Sequence, residues 1–153
     1  MGYCPLPDYV EPPESPVNNP DSNNYPYVLI TGARSREFFH SEHRQIEGLR
    51  KRHADPVAEI HPVAAKDAGV ADGDWVRVSS PRGEIVMLAR VTEDIAPEVI
   101  SVEHGWWFPE SVFSTDESFF RSNANVLTAD TPPYDPAFGS YRLRGLLCSI
   151  KKL

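Results

Sequence analysis

The sequence predicts a mainly β fold with short helices, closed into a small barrel. Short segments in which apolar and polar residues alternate recur along the chain, as at Val76 and Val78. Glycine- and proline-rich turns separate these segments, for example at residues 72–73 and 81–83. Helical patterns are restricted to two short stretches. This combination favours a closed barrel over a layered α/β sheet.

Composition and charge limit the classes of function. The chain has 153 residues, 41% hydrophobic and 24% charged, which is typical of one globular domain with a sizeable core. Its net charge of −7 disfavours a nucleic-acid partner, because phosphate binding needs a basic face. No stretch approaches the roughly 20 apolar residues of a membrane span, so direct membrane insertion is not expected. The first residues lack the charged and apolar regions of a signal peptide.

The N-terminal segment differs in composition from the rest. Seven of the fifteen prolines fall within residues 1–26. Proline cannot continue a helix or a central strand, because it has no backbone N–H to donate. We therefore predict a Pro-rich extended linker over residues 1–25 and a globular domain over residues 26–153. The linker resembles the interior of a longer polypeptide, whose missing part would carry the chemistry.

The first half of the globular region contains two strands separated by a helix. Residues 27–31 form an apolar run that predicts a strand ending in a glycine turn. Residues 42–52 carry Ile46 and Leu49 among charged residues, which predicts a surface helix with a narrow buried stripe. Residues 57–61 predict the second strand.

A short helix and four strands follow. Pro62 occupies a natural first helical position, and residues 63–68 predict a short helix that ends at Gly69. Four further strands are predicted, at residues 74–79, 84–91, 99–103 and 141–150. A loop-like aromatic stretch over residues 104–136 precedes the last of them.

The end of the first strand suits an anionic ligand. Thr31, Gly32, Ala33 and Arg34 follow a buried strand; the glycine lets a ligand approach the backbone, and the arginine offers a bidentate fork to a phosphate. An ordinary surface turn with a solvated arginine is the alternative. The position of this turn, just before a histidine-rich segment, favours the anion site.

That histidine-rich segment has three interpretations. We expect Ser41 to cap the predicted helix and His40 to hydrogen-bond a cofactor ring or phosphate. His40 and His43, three residues apart, could instead bind zinc, although no third ligand is obvious. A nucleophilic Ser41 is weaker still, since adjacency in sequence does not make a triad.

Two aromatic and polar loop motifs complete the candidate residues. His104 and Gly105 precede Trp106 and Trp107, and exposing two tryptophans is costly unless something covers them. Packing of this loop onto the barrel or a neighbouring domain is as plausible as ligand contact, and His104 and Gly105 are better ligand candidates than the tryptophans. Asn125 offers donors and an acceptor suited to the edge of a purine or pterin.

Other pairs carry weaker signals. Asp130 and Asp135 flank two prolines, which favours a turn over an acid–base pair. Cys4 and Cys148 could form one disulfide, although two unpaired thiols are the favoured interpretation. Neither cysteine has the spacing of an iron–sulfur or zinc site.

The motifs taken together resemble a known family. The motifs are Thr31-Gly32, Arg34, His40-Ser41, the segments at residues 59–62 and 69–83, and the set of Asn125, Leu127 and Thr128. They occur in the order and at the spacing of the C-terminal dinucleotide-binding domain of molybdopterin oxidoreductases, the dimethyl sulfoxide reductase family. The glycine–aspartate turn at residues 69–78 also resembles that of double-psi β-barrels. The resemblance extends from about residue 25 to the C-terminus.

The resemblance implies a six-stranded double-psi β-barrel that caps a bis(molybdopterin guanine dinucleotide) cofactor carrying molybdenum or tungsten. Other domains of the catalytic subunit would bind most of this cofactor and supply the metal ligand. Those domains, and an iron–sulfur electron-transfer subunit, are the implied partners. The implied cofactor-binding residues are Thr31, Gly32, Ala33, Arg34, His40, Ser41, His104, Gly105, Asn125 and Arg142. The family often has a lysine before the last strand; here Arg142 or Arg144 must serve.

This interpretation assigns no catalytic residue and no metal ligand to the chain, so the isolated domain is expected to be redox-inactive. The alternative is a stand-alone double-psi barrel that acts as an interaction module without a cofactor. A third interpretation is a small metal hydrolase that uses His40 and His43.

Overall fold

Six strands close into one barrel in the computed structural model, which describes residues 6, 8–107, 120–135 and 137–153. The strand order around the barrel is β1-β5-β2-β4-β3-β6. The strands are β1 (Tyr27–Ala33), β2 (Val57–Ile60), β3 (Trp75–Ser80), β4 (Gly83–Val91), β5 (Val99–Glu103) and β6 (Arg144–Lys152). The helices are α1 (Glu47–Arg50) and α2 (Pro62–Asp67), with 3-10 turns at Pro20–Asn23 and Ala124–Leu127. The predicted mainly β, six-stranded barrel is confirmed.

Strand pairing is mixed. β1 pairs in parallel with β5, and β2 pairs in parallel with β4, whereas the other four neighbouring pairs are antiparallel. Parallel neighbours need crossover connections, because a tight hairpin can join only antiparallel strands. The long irregular segment between β1 and β2 supplies residues to one side of the barrel, and α2 crosses between β2 and β3.

The core is built by strand alternation. β3 buries every second residue, including the predicted Val76 and Val78, and β4 buries Ile85, Met87 and Ala89. Each large apolar side chain buried in this way contributes roughly 1.5–3 kcal/mol relative to exposure. The core side chains of highest volume, all under 2% exposed, include Leu29, Ile60, Ile85, Met87, Ile100, Leu127, Leu146 and Leu147.

The predicted helix–turn signature between β2 and β3 is confirmed. Pro62 is the first residue of α2, and the ring of His61 caps the helix by accepting a hydrogen bond from the Val63 amide at 3.2 Å. Asp74 accepts from the Ala71 amide at 2.8 Å and pairs with Lys152 at 2.6 Å. The Lys152 hydrogen bond, followed by that of the Ala71 amide, lowers the pKa of Asp74. This turn therefore ties α2 to the last strand.

The predicted helix over residues 42–52 is wrong for most of its length. Only α1, four residues long, is helical, and its N-cap is Ile46, which makes no side-chain cap hydrogen bond. Ser41 is therefore not the helix cap. Two residues at the start of the predicted helix have left-handed backbone, with φ of 56° at His40 and 74° at His43, and a right-handed helix cannot pass through them.

The buried stripe of that predicted helix is also absent. The side chain of Ile46 is 45% exposed, and α1 contains no buried residue. Gly48 lies within the helical turn and lowers its intrinsic stability further. Residues 34–53 therefore form an irregular loop whose position depends on tertiary contacts.

Part of the N-terminal segment lies against the barrel. Arg82 donates two hydrogen bonds to the Glu14 carboxylate, at 2.7 and 2.9 Å, and Ser15 is buried. The bidentate geometry is the stronger form of an arginine–carboxylate pair. The division at residue 25 between linker and domain remains a prediction. No helix in the described part of the chain has the length and apolarity that a bilayer span requires.

Loss of the Glu14 carboxylate is expected to release this segment. Glu14→Ala should cost about 1 kcal/mol, because the pair is bidentate and only partly exposed. Amide hydrogen exchange at Ser15, Asn18 and Asn19, whose N–H groups are bonded within the segment, should become faster. Asp8→Ala is the control, because its carboxylate accepts from the Tyr9 amide in the same segment. Equal exchange rates in the two variants would contradict a docking role for Glu14.

Candidate functional site

A cavity of about 350 Å³ at one end of the barrel gathers most of the predicted site residues. Its lining comes from the end of β1, the irregular loop after it, the turn after β5, the 3-10 turn at Ala124–Leu127 and the start of β6. The residues that line it are Thr31, Gly32, Arg34, His40, His104, Ala124, Asn125, Leu143 and Arg144. Segments distant in the sequence therefore meet here, as the sequence interpretation requires.

The end of β1 exposes backbone to this cavity. The pairing of β1 with β5 shifts register between Thr31 and Ala33, and Gly32 has a φ of 108°. No atom lies within 4 Å of the position that a Gly32 Cβ would occupy, so the peptide there is open to a ligand. The Thr31 hydroxyl donates to the Leu143 carbonyl at 2.8 Å, so its proton is not available to a ligand in the cavity.

Two histidines form the wall opposite Gly32. The Ala33 carbonyl lies 3.0 Å from His104 Nδ1, and a carbonyl can only accept, so His104 Nδ1–H is the donor. In the neutral ring, His104 Nε2 is then an acceptor, and His40 Nδ1 lies 2.7 Å from it. His40 therefore donates through Nδ1, and its own Nε2 is an acceptor. One backbone carbonyl thus sets the hydrogen-bonding polarity of both rings.

Gly105 has a packing role beside this pair. A Cβ on Gly105 would lie 2.9 Å from the His40 carbonyl carbon and 3.0 Å from its oxygen, which are non-bonded distances that real Cβ atoms do not adopt. The φ of Gly105 is +80°. The absence of a side chain therefore lets the turn after β5 reach the loop that carries His40.

The remaining predicted residues are placed differently. Ala33 contributes its carbonyl to His104, whereas Ser41, Gly105 and Arg142 do not line the cavity. Arg144, the first residue of β6, lines the cavity. The last strand begins three residues later than predicted, and strand geometry brings Arg144 to this end of the barrel. A cofactor-binding role for each of these residues remains a prediction.

Two further cavities adjoin the first. One of about 960 Å³ shares Asn125 and Leu143 with it, and the other, of about 790 Å³, shares Arg34. Arg34 and Asn125 therefore stand at the two borders of the central cavity. Arg34 is exposed, and its guanidinium is the permanent positive charge at one border.

The two adjacent tryptophans differ in burial. Trp106 is 2% exposed, packed edge-to-face against Phe38, with the Arg44 guanidinium 3.6 Å from its ring centre. Trp107 is 41% exposed. The first tryptophan thus packs onto the chain's own loop, and the second remains accessible. Phe108, Pro109 and Glu110 lie outside the described residues.

The alternative chemistries gain no geometric support. His40 contacts His104 rather than His43, and the described ranges contain no group of three or more histidine, cysteine or carboxylate side chains that could hold a metal. Asp135 accepts from the Ala137 and Phe138 amides, which is turn geometry. Cys148 is a buried thiol whose pKa is raised by burial, and Cys4 lies outside the described residues.

A closed mixed barrel with a polar, arginine-bordered cavity at one end defines the class: a small β-barrel domain whose cavity has the chemistry of an anion-binding site. Residues 27–145 match the family model "Molydopterin dinucleotide binding domain", and the chain belongs to this family. Domains of this family occur in the catalytic subunits of molybdenum and tungsten oxidoreductases. The resemblance inferred from the sequence motifs is confirmed.

Individual relatives are much longer than this chain. Dopamine dehydroxylase from Eggerthella lenta is 36% identical over 147 residues, which cover 96% of this chain and 14% of that protein. Acetylene hydratase from Syntrophotalea acetylenica is 34% identical over 95% of this chain and 20% of its own length. The solved structure of acetylene hydratase from Pelobacter acetylenicus superposes with a TM-score of 0.87 and 31% identity, covering 99% of this chain and 22% of that one.

Proposed function

We propose that this chain is the cofactor-capping domain of a larger molybdenum or tungsten oxidoreductase catalytic subunit, and that the cofactor is bis(molybdopterin guanine dinucleotide). The observation that carries the proposal is the central cavity, where the β1 end, the histidine pair, Asn125 and Arg144 converge. The chain spans only 14–20% of the curated relatives described above, which supports a role as one domain among several.

The residues present fit such a cofactor. Gly32 leaves an open backbone cradle, and Arg34 and Arg144 supply positive charge for phosphate groups. His40 Nε2, held as an acceptor, suits a ring N–H, and the Asn125 amide can both donate and accept. Neutral donors, acceptors and cations without a carboxylate in the lining are the chemistry that an anionic heterocyclic cofactor needs.

This lining suits residues that bind and orient the cofactor, while its metal carries out the chemistry. When bound, the cofactor supplies the redox or Lewis-acid chemistry of its metal. The chain's own residues hold phosphate oxygens, orient the heterocycle and exclude water from one side. The other domains of the subunit would provide the metal ligand, and an iron–sulfur subunit is the electron-transfer partner that this assignment implies. The isolated domain is therefore expected to be redox-inactive.

Arg34→Ala is expected to weaken cofactor retention in the full catalytic subunit. Arg34 is exposed, so its loss should change the stability of the domain little. A lost charge-assisted pair with a phosphate costs roughly 1.5–3 kcal/mol, which corresponds to about ten- to a hundredfold weaker binding. The measurement is metal content together with the nucleotide released by acid from the purified subunit; guanosine monophosphate identifies the guanine form.

Arg77→Ala is the matched control. Arg77 lies on β3, pairs with Glu84 at 3.4 Å and is not part of the central cavity. The control should retain wild-type metal and nucleotide content. Full cofactor content in Arg34→Ala would remove Arg34 from the site, and a full-length protein purified without any nucleotide or metal would favour the interaction-module alternative.

A further inference from the structure

We propose that Glu103 is a positioning residue that clamps the turn carrying His104 and Gly105 and thereby sets the tautomers of His104 and His40. This inference rests on the proposed function for its consequence, namely cofactor retention. The clamp itself concerns only side chains of this chain. Nothing in the sequence interpretation assigned Glu103 a role.

Glu103 is a buried carboxylate with three donors on one oxygen. Its Oε2 accepts from His53 Nε2 at 2.8 Å, from the Val57 amide at 3.1 Å and from Trp106 Nε1 at 3.1 Å. The whole residue is 5% exposed. Burying a carboxylate is costly unless donors surround it, and the three hydrogen bonds offset that cost at Glu103.

The three donors come from three different segments. His53 ends the irregular loop after β1, Val57 begins β2, and Trp106 follows β5. β2 and β5 are antiparallel neighbours whose registered pairs end at Ala58 and Val102. The Glu103 side chain therefore supplies the Val57 amide with an acceptor just beyond the ladder. One carboxylate fastens the loop, the strand and the turn together.

The Trp106 bond closes over His104, which lines the cavity, and Gly105, which packs against His40. Glu103 and Trp106 are three positions apart, so their side-chain hydrogen bond spans the turn formed by His104 and Gly105. Inside this turn, His104 is held by the Ala33 carbonyl through both its backbone N–H, at 3.2 Å, and Nδ1–H, at 3.0 Å. A turn free to shift would not keep both bonds on one carbonyl.

The clamp extends to His40 through two routes. Gly105 packs against the His40 peptide at distances that leave no room for a Cβ, and His40 has a φ of 56°. His53, bound to Glu103, packs beside Phe38 and Trp106 with ring centres 6.1 and 5.8 Å away. Both ends of the loop segment that carries His40 are thus tied to the Glu103 cluster.

The chemical consequence is that one hydrogen-bond acceptor has a fixed position in the cavity wall. With the turn fixed, His104 Nδ1–H faces Ala33, and His40 Nε2 presents an acceptor. If the turn shifts, either ring can exchange its proton between nitrogens, and the wall then presents an acceptor in some molecules and a donor in others. A ligand that requires the acceptor loses part of the competent population.

The test is ¹⁵N spectroscopy of the histidine rings in the 153-residue chain carrying Glu103→Gln, which keeps the side-chain shape and removes the charge. In the wild type, each of His40 and His104 should show one protonated and one unprotonated ring nitrogen. In the variant, the two ring signals of each histidine should move toward each other, as expected for mixed tautomers. Glu84→Gln, a paired carboxylate on β4 that is 56% exposed, is the matched control and should leave both histidines unchanged.

A second variant covers a folding failure. Trp106→Phe removes only the indole donor and retains an aromatic ring. It is measured by the same histidine ring signals, and it also serves if circular dichroism shows that Glu103→Gln is unfolded. Unchanged histidine signals in folded Trp106→Phe overturn the clamp, because this variant lacks the indole donor, whereas the amide oxygen of Gln in Glu103→Gln can still accept hydrogen bonds. In the full catalytic subunit, Glu103→Gln should lower cofactor retention roughly tenfold, as expected when a residue that orients a binding histidine is lost.

The Glu103 clamp and the proposed cofactor-binding function are tested by separate measurements. Unchanged ring signals in Trp106→Phe refute the clamp whatever the cofactor content. Altered ring signals with wild-type cofactor content in both the Glu103→Gln and Arg34→Ala subunits support the clamp and overturn the role of the central cavity in cofactor retention, whereas a subunit without metal or nucleotide overturns the proposed function.

Discussion

Gly105→Ala is expected to destabilise the chain by about 3 kcal/mol, because two costs combine at this position. An alanine at a φ of +80° is strained in the left-handed region. Its Cβ would also lie 2.9 Å from the His40 carbonyl carbon and 3.2 Å from the Ser41 nitrogen. Both contacts are to backbone, so no side-chain rotation relieves them, and the loop carrying His40 must move.

Urea unfolding of the chain measures this cost, and Gly73→Ala separates its two parts. Gly73 has the same φ of +80°, but no atom lies within 4 Å of its Cβ position. The control should lose only the left-handed strain, roughly 1–2 kcal/mol. The difference between the variants isolates the clash with His40. Equal losses in both variants would show that this turn needs a glycine at position 105 for its backbone conformation alone and that the contact with His40 tolerates a Cβ.

The strands were predictable because each has one buried face. Val76 and Val78 alternate with polar residues, and this local pattern is sufficient to place β3 within one residue. β5 begins and ends where predicted, at Val99 and Glu103. The short helix α2 was likewise predictable from local signals, a proline at its start and a glycine just after its end.

The irregular loop was not predictable, because its conformation depends on contacts distant in the sequence. The spacing of Ile46 and Leu49 among charges is a legitimate helix signal. The left-handed backbone of His40 and His43 prevents that helix from starting at Ser41. At His40 this backbone lies against Gly105, 65 positions later. No window of the sequence contains both partners.

The same limit applies to the residues around Glu103. Its carboxylate meets His53 from 50 positions away, and Trp106 is buried by the ring of Phe38 and the guanidinium of Arg44. From the sequence alone, two adjacent tryptophans after a glycine fit packing of the loop as well as contact with a ligand. An acidic residue at the end of an apolar strand, followed by His-Gly-Trp, is the signal that could have indicated a clamped turn.

The sequence around Asn125 does not indicate where its side chain lies. Its position in the structure depends on Leu127, two residues later. The segment at residues 121–128 lies along the part of β4 that β2 does not reach: Val86 donates to the Arg121 carbonyl at 2.6 Å, and Ser122 donates back to the Val86 carbonyl at 2.6 Å. Leu127 inserts fully into the core, and its carbonyl accepts from Ser80 and from Arg82. Asn125 is held at the cavity border by this insertion.

Leu127→Ala is therefore expected to cost about 3 kcal/mol and to detach the segment that carries Asn125. The side chain is 0% exposed, so its truncation loses apolar burial and leaves a cavity in the barrel. Urea unfolding gives the free energy, and amide exchange at Val126 and Thr128, bonded to the Asn123 and Asn125 carbonyls, reports the detachment.

Leu143→Ala is the control for this last variant. Leu143 also lines the central cavity, but its side chain is 49% exposed, and its carbonyl, which accepts from Thr31, survives the substitution. Its cost should stay within about 1 kcal/mol, with no change in exchange at Val126 or Thr128. If Leu127→Ala left that exchange unchanged while lowering stability, the hydrogen bonds to β4 and those from Ser80 and Arg82 to the backbone carbonyl at position 127 would hold the segment. Asn125 would then owe its position to hydrogen bonds rather than to burial of Leu127.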